Sequence, residues 1–430
     1  MLISVFGVAF GVPVSFSVYM APGGSDLANG TQPSMPVATL QRAFDIAQHI
    51  SRGQRGNETM LNVYLEGGEY PGNQTLATIT VETHMRITAQ STRAALHCSF
   101  AAGQGLMILE GNGQAATPGD ALEVVVSGLD VTGCQSVASA WGGVRLVVRD
   151  GTFVDVPKPV VFNDPWANHV VVVDFPMVYA LVVENVDVSA PDFRVSLPLL
   201  TLCGHSSLMR NVSIHDMRMV LPAIDIRGNG VHTLSNITIV RVEATPVMSI
   251  QSVVVLEDVL VDDCHSSRDL LSVNAYVTVP LNRNGEAAFN SMEVTRLDVL
   301  HCTATNMLAI QVLSPATRGL ARGTVSFEML GGRFLGNKAI GGSVIQITDA
   351  KANFRDVYFN NTIFKGDSTS TAIQNRPKFG TIVRHNAEVH QDAFSVTFSS
   401  CTFGELAIEP YLRSATAMIL TDDSAHSKNL

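Results

Sequence analysis

The densest grouping of side chains that could do chemistry is Asp262-Asp263-Cys264-His265, two adjacent carboxylates with an imidazole two residues on. Cleaving a glycosidic bond takes two carboxylates at a set separation, one to protonate the leaving oxygen and one to activate water or attack the sugar. Asp262, Asp263 and His265 are therefore the candidate catalytic residues. The plain alternative is a solvated turn. His215-Asp216, Asp225 and His232 are scattered by comparison and read as surface side chains rather than as members of a proton relay. No nucleotide-binding glycine loop, metal triad or nucleophile elbow is present. The six cysteines form no Cys-x-x-Cys pair, which argues against zinc, and no metal site is expected.

What must position these residues is a six-residue phrase that recurs through the chain. It reads apolar, any, turn-former or polar, apolar, any, apolar. The copies are 126–131, 148–153, 183–188, 209–214, 234–239, 256–261, 294–299, 329–334, 354–359 and 398–403. The first and last slots are apolar in each copy, and Gly151 and Gly332 are the exceptions in the fourth. Alternation over so short a run marks a strand with one buried face. The third slot holds Gly128, Asp150, Asn185, Asn211, Asn236, Asp258, Arg296, Gly331, Asp356 and Ser400. Most are types that tolerate a left-handed backbone or bond locally to it, so the phrase reads strand, sharp bend, strand.

The copies recur after 22 to 44 residues. The shortest period fits one coil of three short strands, and the longer ones add a loop. A repeat of this kind predicts a parallel β-helix, in which each coil buries its apolar face only by stacking on its neighbours. Ten coils plus one or two upstream, 11 or 12 within an expected range of about 10–12, predict a rod of roughly 50–60 Å at ~4.8 Å per coil. Leucine-rich repeats lack their Leu and Asn frame here, and a β-sandwich would need hairpin turns between its strands. The expected organisation is a possible signal peptide over 1–17, a single β-helix domain over 18–412 with a helical cap at about 36–50, and a polar tail over 413–430.

The chain has 430 residues, a net charge of −10 and only 15% charged residues. It has no basic stripe, so nucleic acid is not an expected partner. Residues 1–17 are apolar and uncharged and end in a small-x-small pattern at Ser15 and Ser17, the mark of a secretory signal, although no Lys or Arg precedes it. No segment is apolar over the ~18 residues a membrane span needs. Sequons stand at Asn29, Asn57, Asn73, Asn211, Asn236 and Asn360. Asn211 and Asn236 occupy bends, which leaves Asn29, Asn57 and Asn73 as the expected acceptors. Cys264 and Cys302 fall at one position in consecutive copies, close enough to bond; buried thiols in an interior column are the favoured reading.

Four insertions, about 157–180, 266–290, 313–323 and 364–393, interrupt the coils. Loops on a rigid rod are where such folds place function, so Trp166, Arg283, Arg322 and Arg376 are the candidate binding residues.

The segment 19–44 resembles the opening of pectin-lyase-like right-handed β-helix proteins. Gly24, Ser25, Asp26, Asn29, Gly30, Pro36, Ala38, Thr39, Leu40 and Ala43 carry the likeness. In that superfamily a first strand leads through such a loop into a short helix. Leu40, Ala43, Phe44 and Ala47 share one helical face, which would plug the open end of the coil and shield its strand edges. Leu61–Gly72, ending Gly-Glu-Tyr-Pro-Gly, is similar to the first coil of the same proteins. Phe334-Leu-Gly-Asn337 followed by Gly341-Gly342-Ser343-Val344-Ile345 is similar to repeats of polymorphic outer-membrane, autotransporter-type adhesins.

Val261-Asp-Asp-Cys-His265 looks like the Asp-Asp-Cys element of polygalacturonases, which share this fold. The other elements depart from the pattern. The upstream coil reads Val240-Arg-Val-Glu243 where Asn-Thr-Asp is expected, Gly204-His205 precedes the Asp pair, and no Arg-Ile-Lys exists. The resemblance also implies lyases, which use Ca²⁺ held by stacked Asp. Asp130, Asp187 and Asp298 sit at outward slots but not in adjacent copies, so they form no obvious oxygen cage. Calcium enters only under the lyase alternative, and no other cofactor is expected.

The reading that follows is a secreted or cell-surface β-helix glycoprotein that binds a polysaccharide or cell-surface glycan, adhesin-like and without catalysis. The alternatives are a polysaccharide-degrading enzyme acting on acidic glycans, or a structural spacer in a larger surface protein.

Overall fold

The computed structural model describes residues 14–51, 56–70, 72, 74, 78–98, 106–111, 115, 118–156, 159–163, 179–195, 200–203, 206–276, 291–313, 326–340, 342–348, 351–365, 381–386, 396–408 and 419–422. They form a parallel β-helix with one α-helix at its N-terminal end. The phrases stack without a slip. The last slot pairs in parallel register from Val131 to Phe153, Val188, Ile214, Ile239, Val261, Val299, Phe334, Phe359 and Phe403. The first-slot column continues upstream from Val126 through Ile87 and Val63 to Val18. That adds three rungs to the ten phrases, where the sequence suggested one or two.

Slots one, four and six point inward. Their side chains from Val126 to Phe359 are buried, as the alternation requires. The core is aliphatic along the middle of the rod and aromatic toward its C-terminal end. There Phe334, Phe359 and Phe403 stack at 5.2 Å between ring centroids, in register with one another. Phe398 and Phe403, on the last rung, are only partly buried.

All ten third-slot residues take positive φ, from 52° at Asn236 to 76° at Gly128. The bend is thus obligatory, and even Arg296 (φ 59°) and Ser400 (φ 53°) adopt it. Side chains of this column bond up the rod. Asn185 Nδ2 donates to Asp150 Oδ1 at 2.8 Å, Asn211 to Asn185 at 2.8 Å, and Asn236 to Asn211 at 2.9 Å. A second bend follows five residues later, with positive φ at Gly133, Asp155, Asp216, Arg241, Asp263, His301, Gly336 and Asn361. The six-residue phrase ends before this bend, so the sequence pattern did not expose it.

A third wall closes each coil. Its register runs Ile79, Leu109, Ala140, Phe162, Leu202, Ile226, Ile250, Val273, Ile310 and Ile347. Parts of the supposed insertions belong to it, since Val160–Asn163, Leu271–Tyr276 and Thr381–Asn386 are strands of this wall. Of the stretch set apart as a polar tail, Ile419–Asp422 adds one more strand, on Thr381–Asn386.

At the other end, Val14–Met20 is the first strand and pairs with residues 59–65. A cut after Ser17 would fall inside it. The cap is the helix Leu40–Ser51. Thr39 opens it, its hydroxyl accepting from Arg42 N at 3.2 Å. Asp26 holds this start by accepting from the Ala38 and Thr39 amides at 2.9 and 3.0 Å. A Cβ on Gly24 would lie 2.3 Å from the Val37 carbonyl oxygen, so the loop needs glycine there. Leu40, Ala43, Phe44 and Ala47 are buried against the first rungs, as their spacing predicted.

Candidate functional site

The second bend column builds the site. Adjacent rungs each place a polar residue at one corner of the rod: Asp216, Arg241, Asp263 and His301. Arg241 is the one of these four whose type is not favoured in a left-handed backbone. Stacking then sets these side chains beside one another although 22 to 38 residues separate them in the chain. A groove of about 850 Å³ opens along this corner. Pro191, Asp216, Met217, Arg218, Met219, Arg241, Val242, Glu243, Asp263 and His265 line it. Met217, Met219 and Val242 are buried and form an apolar floor, and the charged groups stand on the rim.

The rim is internally bonded. Arg241 grips Asp216 with two hydrogen bonds, Nε to Oδ1 at 2.5 Å and Nη2 to Oδ2 at 2.8 Å. His215 Nδ1 meets Asp216 Oδ2 at 2.8 Å, and its Nε2 meets Asp187 at 3.2 Å on the rung before. One rung beyond the groove, Asp262 pairs with His301 Nδ1 at 2.9 Å. Partial burial pulls the His215 pKa down, but the bonds to Asp216 and Asp187 outweigh it and leave the imidazole above its usual value. Asp216 is held far below the usual carboxylate range, first by the Arg241 hydrogen bonds and then by His215. Arg241 is raised in return, chiefly by Asp216.

Of the candidate catalytic residues, Asp263 and His265 line the groove and Asp262 faces away toward His301. The backbone explains the split. Asp262 ends the strand Met248–Asp262, whereas Asp263 takes φ 49° at the bend, and Cys264 turns inward. His215 and Asp216, taken from the sequence as isolated surface groups, belong to a bonded array. Asp225 and His232 are not on the surface either. Both are buried, and His232 Nδ1 lies 2.7 Å from Ser207 Oγ. Sequence reasoning missed Arg218, Arg241 and Glu243. Arg241 stands one coil from both Asp216 and Asp263, and Arg218 and Glu243 follow the bend residues of their rungs by two positions, a signal visible once a second bend is known.

Trp166, Arg283, Arg322 and Arg376 lie outside the described residues, as does Asn73. Asn29 is exposed on the N-terminal loop, its Oδ1 accepting from Thr31 N at 3.1 Å. Asn57 lies in the strand Gly56–Leu65. Among the described residues no group of three or more His, Cys, Asp or Glu side chains could hold a metal ion. No described helix is long and apolar enough to cross a membrane.

No protein-family model matches this chain, and no curated protein matches it. Several solved structures align with it at about one identical residue in ten. A tailspike protein of bacteriophage CBA120 aligns with 96% of this chain at 10% identity and a TM-score of 0.33. The chain spans 62% of that tailspike's length. The XylC complex with xylose aligns with 89% of this chain and 86% of its own, at 9% identity and a TM-score of 0.32. The mannuronan C-5 epimerase AlgE4 A-module of Azotobacter vinelandii aligns with 89% of this chain and 95% of its own, at 12% identity and a TM-score of 0.24. Likeness at this level carries no argument; the fold rests on the parallel strand register and the chemistry on the groove.

Proposed function

We propose that this chain is a secreted or cell-surface β-helix glycoprotein that binds a polysaccharide or cell-surface glycan in the groove over Asp216, Arg241 and Asp263. The observation that carries this reading is the bonded rim above an apolar floor. About 850 Å³ is room for a few sugar units. Pro191 offers exposed apolar surface for the C–H face of a sugar ring, and fixed carboxylates and guanidiniums offer acceptors and donors for hydroxyls. Binding needs such groups held rigid, and the Arg241–Asp216–His215–Asp187 array holds them.

Catalysis asks for something different. A general acid needs a carboxyl whose pKa is pushed up. Asp216 is shifted the other way, with both oxygens already engaged. Three carboxylates against two guanidiniums in the groove lining also leave a polyuronide without net attraction. The ligand we favour is therefore a neutral, hydroxyl-rich glycan.

A glycan array probed with the purified protein tests this. Binding to neutral glycans that falls at least tenfold in Arg241→Ala is the expected result. Release of reducing sugar or unsaturated uronate from a polyuronide panel, abolished by Asp263→Asn, would instead establish the enzyme reading. Absence of binding and of turnover would leave the spacer.

A further inference from the structure

Among the described residues the rod carries one disulfide, Cys98–Cys134, between neighbouring rungs, with its Cα atoms 4.7 Å apart. Parallel strands in one ladder lie ~4.8 Å apart, and a disulfide accepts Cα separations of roughly 4.4–6.8 Å. Two cysteines at one level of neighbouring rungs are therefore in bonding range by construction, provided that both side chains point the same way.

Cys264 and Cys302 meet that condition. Each stands three residues after the end of its phrase, the position Cys134 occupies on its own rung. Their rungs are adjacent, with Val261 paired to Val299 and Asp262 to Leu300. The Thr303 amide donates to the Cys264 carbonyl at 2.9 Å, which fixes the register at the cysteines themselves. Both side chains point into the core and both are buried. Both are free thiols in this structure. Among the described residues their hydrogen-bond partners are backbone carbonyls. Cys264 Sγ donates to Asp262 O at 3.2 Å or Ile239 O at 3.5 Å, and Cys302 Sγ to Leu300 O at 3.0 Å or Val261 O at 3.5 Å. A thiol is a weak donor, so little opposes replacing these bonds by a covalent one.

We propose that Cys264 and Cys302 form a second inter-rung disulfide when the chain folds under oxidising conditions. The oxidant is a small disulfide, such as oxidised glutathione. The Cys264 thiolate attacks one sulfur of it and expels one donor thiolate, giving a mixed disulfide. Cys302 loses its proton and attacks the Cys264 sulfur, expelling the second. The donor disulfide is reduced to two thiols, which take up the two protons, and the pair is oxidised to one S–S bond. The roles of the two thiols can be exchanged without changing this balance. Because both thiols are buried in the finished rod, exchange takes place before the two rungs close. The bond would staple the rung that carries Asp263 and His265 to the rung that carries His301, behind the groove.

The test is to refold the full chain in a glutathione redox buffer, unfold it in excess N-ethylmaleimide, digest it without reduction and map the peptides by mass spectrometry. The expected result is two linked peptide pairs, 98–134 and 264–302, with the second lighter by two hydrogens than its reduced components. Maleimide on both Cys264 and Cys302 overturns the proposal, whether or not 98–134 is linked. As a second readout, Cys264→Ser with Cys302→Ser should lose the dithiothreitol-induced drop in melting temperature that remains after Cys98→Ser with Cys134→Ser. An unchanged drop counts against the bond.

Discussion

Replacing Asn211 separates the two jobs of the bend column. Asn211 takes φ 55° and sits in the middle of the side-chain ladder, donating to Asn185 and accepting from Asn236. Alanine loses both bonds and must still adopt a left-handed backbone. Two exposed hydrogen bonds contribute about 0.5 kcal/mol each, at the low end for protein hydrogen bonds. A left-handed backbone costs a residue with an ordinary Cβ about 1–2 kcal/mol. Asn211→Ala should therefore lose about 2–3 kcal/mol. Glycine loses the same two bonds but adopts positive φ freely, at the expense of a more disordered unfolded chain, so Asn211→Gly should lose about 1 kcal/mol less than alanine. Unfolding entropy of about 2 cal/mol/K per residue makes 1 kcal/mol worth about 1 °C in a chain of this length. Calorimetry on unglycosylated protein should thus place Asn211→Ala about 2–3 °C below the parent and Asn211→Gly about 1 °C above the alanine variant. A glycine variant melting with or below the alanine one would refute the claim that backbone conformation selects the residue at this slot.

The remaining predictions address charge, core and surface. His215 is raised above its usual 6.5, so the stability it contributes is complete below that value and is lost as pH rises through the higher folded value. The gap in melting temperature between parent and His215→Gln should therefore be widest at acid pH and narrow above neutrality, and a gap that ignores pH would remove the ion-pair account. Asp216 is lowered, so its contribution is present above the usual carboxylate range and disappears as pH falls through the folded value; Asp216→Asn should flatten the acid limb of the stability profile. Phe334→Ala empties a fully buried site stacked on Phe359 and should lose about 3–5 kcal/mol, read as a similar number of degrees. After expression through a eukaryotic secretory pathway, glycopeptide mapping should find sugar on Asn29, which is exposed, and none on Asn211 or Asn236, whose side-chain nitrogens are engaged in the ladder.

Local signals in the chain were enough for the stacking. An apolar residue at slots one, four and six has to face inward on any rung, and a bend between them has to accept positive φ, so both can be read from six residues at a time. The helical cap was legible for the same reason, since Leu40, Ala43, Phe44 and Ala47 share a face within three turns. The third wall was not. Its strands are as short as the four residues of Ala138–Trp141 or Val160–Asn163, too few for alternation to stand out from the loops around them.

The sequence by itself determined that this chain must coil into a rod, because no single phrase can bury its own apolar face. Only the tertiary structure decided which polar residues meet. Asp216, Arg241 and Asp263 come together because each stands five residues after the bend of its phrase and consecutive phrases stack in register, whatever the length of chain between them. Cys98 and Cys134 found each other in the same way, across a rung that lacks the full phrase. The register between rungs is a property of whole coils rather than of any residue, and the groove is made by stacking them.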